Sequence, residues 1–166
     1  MNKNFLTAKM GAHLIAAKVM QTGRDADVVA VSYGQWRVQT HNSLGDRVTI
    51  KPRTMVKGPT WQDKINVPDD DTTLWVMLDL TAAEPQFYVA PTQWMATFIR
   101  DLHQQYLDEE DPTTGKRKGH RAHNDDSNHT AWRPEQVAKW REAWGLIDAT
   151  HNGASRAGVS PRNHPY

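Results

Sequence analysis

The chain has 166 residues, a near balance of 20 Lys and Arg against 19 Asp and Glu, and a mean hydropathy of −0.74. The length suits one domain with a single sizeable core, and a formal charge of +1 excludes nucleic-acid binding by bulk charge. The lack of cysteine excludes disulfides, thiolate zinc sites and cysteine nucleophiles, and no apolar run approaches the roughly 20 residues that span a bilayer.

The N-terminal stretch MNKNFLTAKMGAHLIAAKVM is interrupted by Lys9, His13 and Lys18, so it reads as a mature helix rather than a signal peptide, in keeping with a cytoplasmic protein. Met10, Leu14, Ala17 and Met20 recur at helical spacing and predict a helix over 7–22, with Leu6 leading in and Gly23 as the stop. His13 shares that apolar stripe, which makes it a core histidine before a catalytic one. Short strands are expected at 27–32 and 36–41. Asn42, Ser43 and Gly45 form a hairpin turn, and the chain returns as a third strand over 47–51, which Pro52 ends.

The segment 60–71 reads as a loop with strand character around Trp61–Ile65. Residues 72–80 are apolar on both faces apart from Asp79, the pattern of a central strand covered on both sides. Asp79 at its end is suited to capping a turn or pairing with a basic residue. One more strand follows at Gln86–Ala90, then a helix capped by Thr92 with Trp94 (or Met95), Phe98, Leu102 and Tyr106 at helical spacing. Residues 108–134 form a long polar loop and 135–147 a last amphipathic helix. The tail 151–166 reads as disordered. The expected fold class is α/β: a mixed central sheet of about five strands flanked by helices, in one domain over 1–150.

Several words in this order resemble the PD-(D/E)XK nuclease superfamily, and within it a small bacterial group of similar length. They are GAHLIAAKVM (11–20), VAVSYGQWRVQTH (29–41), DRVTIKPRT (46–54), TWQDKI (60–65), LWVMLDL (74–80), FYVAPTQW (87–94) and WREAWGLI (140–147). The resemblance implies a restriction-endonuclease-like fold and, in active members, a Mg²⁺ or Mn²⁺ ion held by acidic or amide side chains beside a lysine. It places the helix glutamate at Ala12 or His13, the aspartate of the second strand at Gln35 or Trp36, and the ligand of the third at Thr49. Only the lysine, Lys51, matches. One departure is that the superfamily's helix between the third and fourth strands is replaced here by the segment TWQDKINVPDDD.

Two functional expectations follow from different alignments. In the first, the metal ligands are lost and the domain is a pseudoenzyme without cofactor. It then binds nucleic acid or a partner through the remnant Lys51, with Arg53, Trp36 and the basic residues Lys116, Arg117, Lys118 and Arg121. In the second, Asp27, Gln39 and His41 or Lys51 form a non-standard site for a metal-dependent nuclease. A third reading is an assembly protein, pairing with a partner or with itself, with no nucleic-acid role and no membrane contact. His120, His123 and His129, near Asp125 and Asp126, are weak candidates for a metal site, since their spacing follows no motif. Trp36 and Trp61 are candidates for base stacking, whereas Trp75, Trp94, Trp140 and Trp144 fit a core.

Overall fold

Gly11 sets how closely the first helix approaches the sheet. Helix α1 (Lys3–Gln21) lies on the sheet through Gly11, Ala12, Ile15, Ala16 and Val19, all buried. A Cβ at Gly11 would stand 1.8 Å from Thr54 Oγ1 and 2.8 Å from Thr54 Cβ, so only glycine lets the two backbones come this close. The computed structural model describes residues 2–68, 70, 72–115 and 129–150. The small residues choose the inward face of α1. Consequently Met10, Leu14 and Met20 point outward, and so does His13, which is exposed and not a core histidine. The expected stripe had the right period and the wrong phase, because this helix is apolar on both sides and hydrophobicity alone cannot orient it.

Strands β1 (Ala26–Ser32), β2 (Gln35–His41) and β3 (Arg47–Met55) form an antiparallel meander. The β2–β3 turn is held by Asn42, whose Oδ1 accepts from the Leu44 and Asp46 amides while Gly45 takes φ +85°. Strand β3 runs through Pro52 to Met55, past the expected stop. Its pairing with β2 ends at Ile50, so Pro52 lies where one side of the strand has no ladder to β2 and its missing N–H costs little. β4 (Trp61–Lys64) leaves this sheet. β5 (Thr73–Asp79) then pairs parallel to β3, and β6 (Gln86–Pro91) pairs antiparallel to β5, giving the order β1-β2-β3-β5-β6. A mixed five-stranded sheet with helices, as expected, is the core of the molecule.

A second, two-stranded sheet was not foreseen. β4 pairs antiparallel with β7 (His129–Trp132), drawn from what reads in sequence as polar loop, and Trp61 lies opposite Trp132. Helix α2 (Thr92–Asp108) buries Met95, Ala96 and Ile99, while Tyr106 is exposed. Thr92 is the first residue of α2 and not its cap: its hydroxyl donates to the Thr73 carbonyl, and Pro91 stands at the cap position. The expected helix over 135–147 is instead a 3-10 helix, Pro134–Trp140, followed by a short helix α3 (Leu146–Ala149). Between them Arg141 bridges to Tyr88 and the Glu142 amide donates to the Phe87 carbonyl at 2.9 Å. The chain breaks its helix there to close the β6 edge. The expected tail, 151–166, lies outside the described residues.

These elements give the sheet two unlike faces. Under α1 the core is largely aliphatic: Ile15, Val19, Val38, Val48, Ile50, Leu74, Val76 and Val89, closed by Phe87, Trp144 and Ile147. On the other face Trp61, Trp75, Met77, Tyr88, Met95, Ile99 and Trp132 pack beneath α2 and the small sheet. Strand β5 feeds both, as a strand covered on both sides must. Asp79 at its end accepts from the Thr81 amide and hydroxyl, and so caps the turn into β6.

Candidate functional site

Alternation along β3 sends Val48 and Ile50 to the α1 side and Thr49, Lys51, Arg53 and Met55 to the other. Cross-strand pairing continues that second face: Thr49 lies opposite Gln39, Gln39 opposite Asp27, and Lys51 opposite Trp75. Arg37, two residues before Gln39, projects to the same side. The aromatic core covers the β5 and β6 part of this face. Over β2 and β3 it is polar.

At the border between the two parts stands Asp63, on β4, with only 7% of its surface exposed. β4 alternates, burying Trp61 in the aromatic core and Asp63 toward β3. Asp63 Oδ2 accepts from Arg53 Nε at 2.8 Å and from Lys51 Nζ at 3.0 Å, with Arg53 Nη2 against the same oxygen. Its Oδ1 accepts from the Lys64 amide at 2.7 Å. The Lys51 ammonium also sits 4.1 Å from the centre of the Trp75 ring, a cation–π contact in a partly desolvated place. Arg37 completes the group, donating to the Trp36 carbonyl at 2.9 Å and feeling the charges of both Arg53 and Asp63.

Two cations therefore bond one carboxylate, and a third, Arg37, lies within its field. Burial pushes the Asp63 carboxyl up, but the hydrogen bond and charge of Arg53, and then of Lys51, outweigh it and hold Asp63 below the usual carboxylate range. The balance on the cations runs the other way. Burial lowers Lys51, Asp63 opposes the fall, and Arg53 and Arg37 add to it, so the ammonium ends below its ordinary value. Burial, then the neighbouring Arg53, likewise lowers Arg37, with Asp63 making up only part of the difference. The cluster is short of negative charge, and an added anion would relieve both groups.

The structure gathers some expected site residues and separates others. Lys51 and Arg53 share the cluster, and Asp27 and Gln39 lie abreast of Thr49 on the same face. His41 is exposed on that side, opposite Arg47. Trp36 belongs to the other face: it packs against the aliphatic core, with Phe5 edge-on at 5.7 Å and Lys9 over its ring at 5.2 Å. Trp61 is buried, its Nε1 donating to the Leu78 carbonyl at 3.3 Å. Neither indole is open to a base on the cationic face. His129 is exposed on β7 opposite Lys64. The remaining candidates, Lys116, Arg117, Lys118, Arg121, His120 and His123, lie outside the described residues, as do Asp125 and Asp126. Sequence reasoning missed Arg37 and Asp63. Their signals were two-residue spacing from Gln39 for the one, and the Trp61–Asp63 alternation for the other.

The donor set does not suit Mg²⁺ or Mn²⁺. Asp27, Gln39 and Thr49 offer one carboxylate, one amide and one hydroxyl, beside a cluster already rich in cations, where a hard dication favours carboxylates. Among the described residues no three His, Asp or Glu side chains gather as a metal site. No described helix is long and apolar enough to cross a membrane. No family model, no curated protein and no solved structure matches the chain.

Proposed function

We propose that the polar half of this sheet face binds phosphate groups of a nucleic acid, without cleaving it, on a nuclease-like scaffold that has lost its metal ligands. The observation that carries this reading is the charge count of the cluster: Arg37, Lys51 and Arg53 around Asp63, the one carboxylate that acts on them among the described residues, with burial lowering two of the three cations. Asp63 holds Lys51 and Arg53 in place, and a phosphate oxygen supplies the missing anion. Guanidinium groups suit that role because their fork of donors matches a phosphate. The near-neutral chain then binds through a local patch instead of through bulk charge.

The test is fluorescence anisotropy with labelled single- and double-stranded DNA and RNA over a range of salt. The double variant Arg37→Gln/Lys51→Met keeps the Arg53–Asp63 pair, so it separates binding from folding. Binding should weaken with salt, and the variant's salt slope should fall by about two phosphate contacts. An unchanged affinity in the variant would remove the cluster from the interface.

One observation favours a second reading. Asp27 and Gln39, which the alternative alignment uses with His41 or Lys51, stand abreast on adjacent strands. Plasmid nicking with Mn²⁺ that disappears in Asp27→Ala would establish it, whereas no nicking leaves the cluster as a binding site only.

A further inference from the structure

The cluster around Asp63 is compact, and it is bounded along the strands as well as across them. Lys51 and Arg53 lie two residues apart on one face of β3 and meet the same oxygen of Asp63. Arg37 stands one step beyond the last β2–β3 pair, Val38 with Ile50, near enough that its charge acts on Lys51. Toward β5 the cluster ends at Trp75, opposite Lys51, and Met77, opposite Arg53, both fully buried. Lys51 and Arg53 still keep 22% and 35% of their side chains exposed, so a ligand oxygen can reach them from solvent.

Neighbouring positions do not continue the charge. One alternation step from Arg53, away from Lys51, stands the buried Met55. One step from Lys51 the other way, about 7 Å along β3, the face presents Thr49, Gln39 and Asp27 abreast, with no cation among them and one carboxylate. A nucleic-acid backbone drawn past the cluster would find no partner there for its next phosphate. The cationic site is therefore built for one phosphate. It is also built for more than one charge. Three cations around one carboxylate leave a surplus of two, whereas a phosphodiester inside a strand carries a single charge. A terminal phosphate monoester carries about 1.5 to 2 negative charges at neutral pH and three strong acceptor oxygens.

We propose that the cluster takes a terminal phosphate monoester, so that the domain holds the end of a strand and not its interior; this deepens the nucleic-acid reading and rests on it. Arg37 and Arg53 offer forks of donors to the phosphate oxygens, and Lys51 a point charge. Gln39 and Thr49, an amide and a hydroxyl, lie where the terminal sugar or base would follow. Asp27, at the far side of that row, disfavours a second phosphate.

The test is competition anisotropy, one labelled oligonucleotide against four unlabelled strands of the same sequence. These end in a 5′-phosphate, a 3′-phosphate, hydroxyls only, or the methyl ester of the 5′-phosphate, which keeps the group and removes its second charge. One phosphorylated end should compete about tenfold or more better than the hydroxyl and methyl ester strands, and which one it is identifies the end. Arg37→Gln should erase that ratio. Arg47→Gln, at an exposed cation two alternation steps from Lys51, should weaken all four strands alike and leave the ratio standing. Equal competition by all four, lost together in Arg37→Gln/Lys51→Met, overturns end binding and leaves a site for internal phosphodiesters. No binding of any strand, or no loss in the double variant, overturns the nucleic-acid reading itself. A nucleoside monophosphate that competes as well as the phosphorylated strand overturns the strand end in favour of a mononucleotide.

Discussion

The face of the sheet beneath α1 and the polar half of the face opposite take alternate residues from the same strands, yet they are held together in different ways. Beneath α1, Val38, Val48 and Ile50 contribute through area removed from water, about 1.5–3 kcal/mol for each fully buried side chain. Neighbours there are largely interchangeable provided volume is kept. On the polar side the contributions are shared. Lys51 and Arg53 depend on one oxygen of Asp63, so the loss of one group changes what its neighbours are worth. The dry face favours stability alone, whereas the charged face retains an imbalance that a more stable design would remove.

The largest effect should come from the dry face. Gly11→Ala drives a methyl into Thr54, and rotating Thr54 cannot relieve a 2.8 Å approach to its Cβ. α1 must lift from β3, with a loss of about 3 kcal/mol or more in urea unfolding. Next is Asp63→Asn, which keeps the shape but leaves three half-buried cations without a counter-charge. About 2–3 kcal/mol should be lost at neutral pH, and sulfate or phosphate should restore part of it in thermal melts where chloride at equal ionic strength does not. Failure of that rescue would break the comparison, because the cluster would then be only a structural ion pair.

The third prediction concerns pH. Asp63 has a folded pKa below its unfolded one, so its contribution is fully present above the ordinary carboxylate range and is lost as pH falls through that range and below it. Wild type and Asp63→Asn should therefore differ in stability by a constant amount above about pH 5 and converge below about pH 4. Lys51→Met should have a smaller effect on folding. It removes a desolvated ammonium and keeps the Arg53–Asp63 pair, so stability should hold or rise while affinity for nucleic acid falls several-fold. Smallest of all, Trp36→Phe should leave nucleic-acid binding unchanged in the same anisotropy assay, since Trp36 sits on the α1 side.

The succession of strands along the chain and the covered central strand were legible because β5 is apolar in an unbroken run and the turns at 33–34 and 42–46 carry glycine and asparagine; the order of the strands within the sheet was not. The orientation of α1 was not, because the choice between Ile15/Val19 and Leu14/Met20 rests on Gly11 meeting Thr54, a contact 43 residues away. The break after Trp140 was hidden for a similar reason. Val137, Trp140, Trp144 and Ile147 recur at helical spacing, but Glu142 takes φ +52° so that the chain can bond to Phe87. Lys51 and Arg53 were visible as basic residues of one strand. Asp63, their partner, was masked as one more polar residue in a loop, since sequence spacing does not report a contact between β3 and a strand of another sheet.

The short helix α3 reaches back to the earliest parts of the fold. Asp148 accepts from Arg24 Nη2 at 2.6 Å and from the Ser43 amide at 3.0 Å, and Asn42 Nδ2 donates to the Thr150 carbonyl at 2.8 Å. Trp144 and Ile147 close the core that α1 began. The last of the described elements in chain order thus completes the hydrophobic layer that the first one opens. Until residues 144–150 are in place, one side of Phe87 is open to water, so α1 and the β2–β3 hairpin lack their closing contacts. A chain cut before Glu142 would leave that apolar surface exposed, and the domain's folding is therefore tied to contacts made across most of its length.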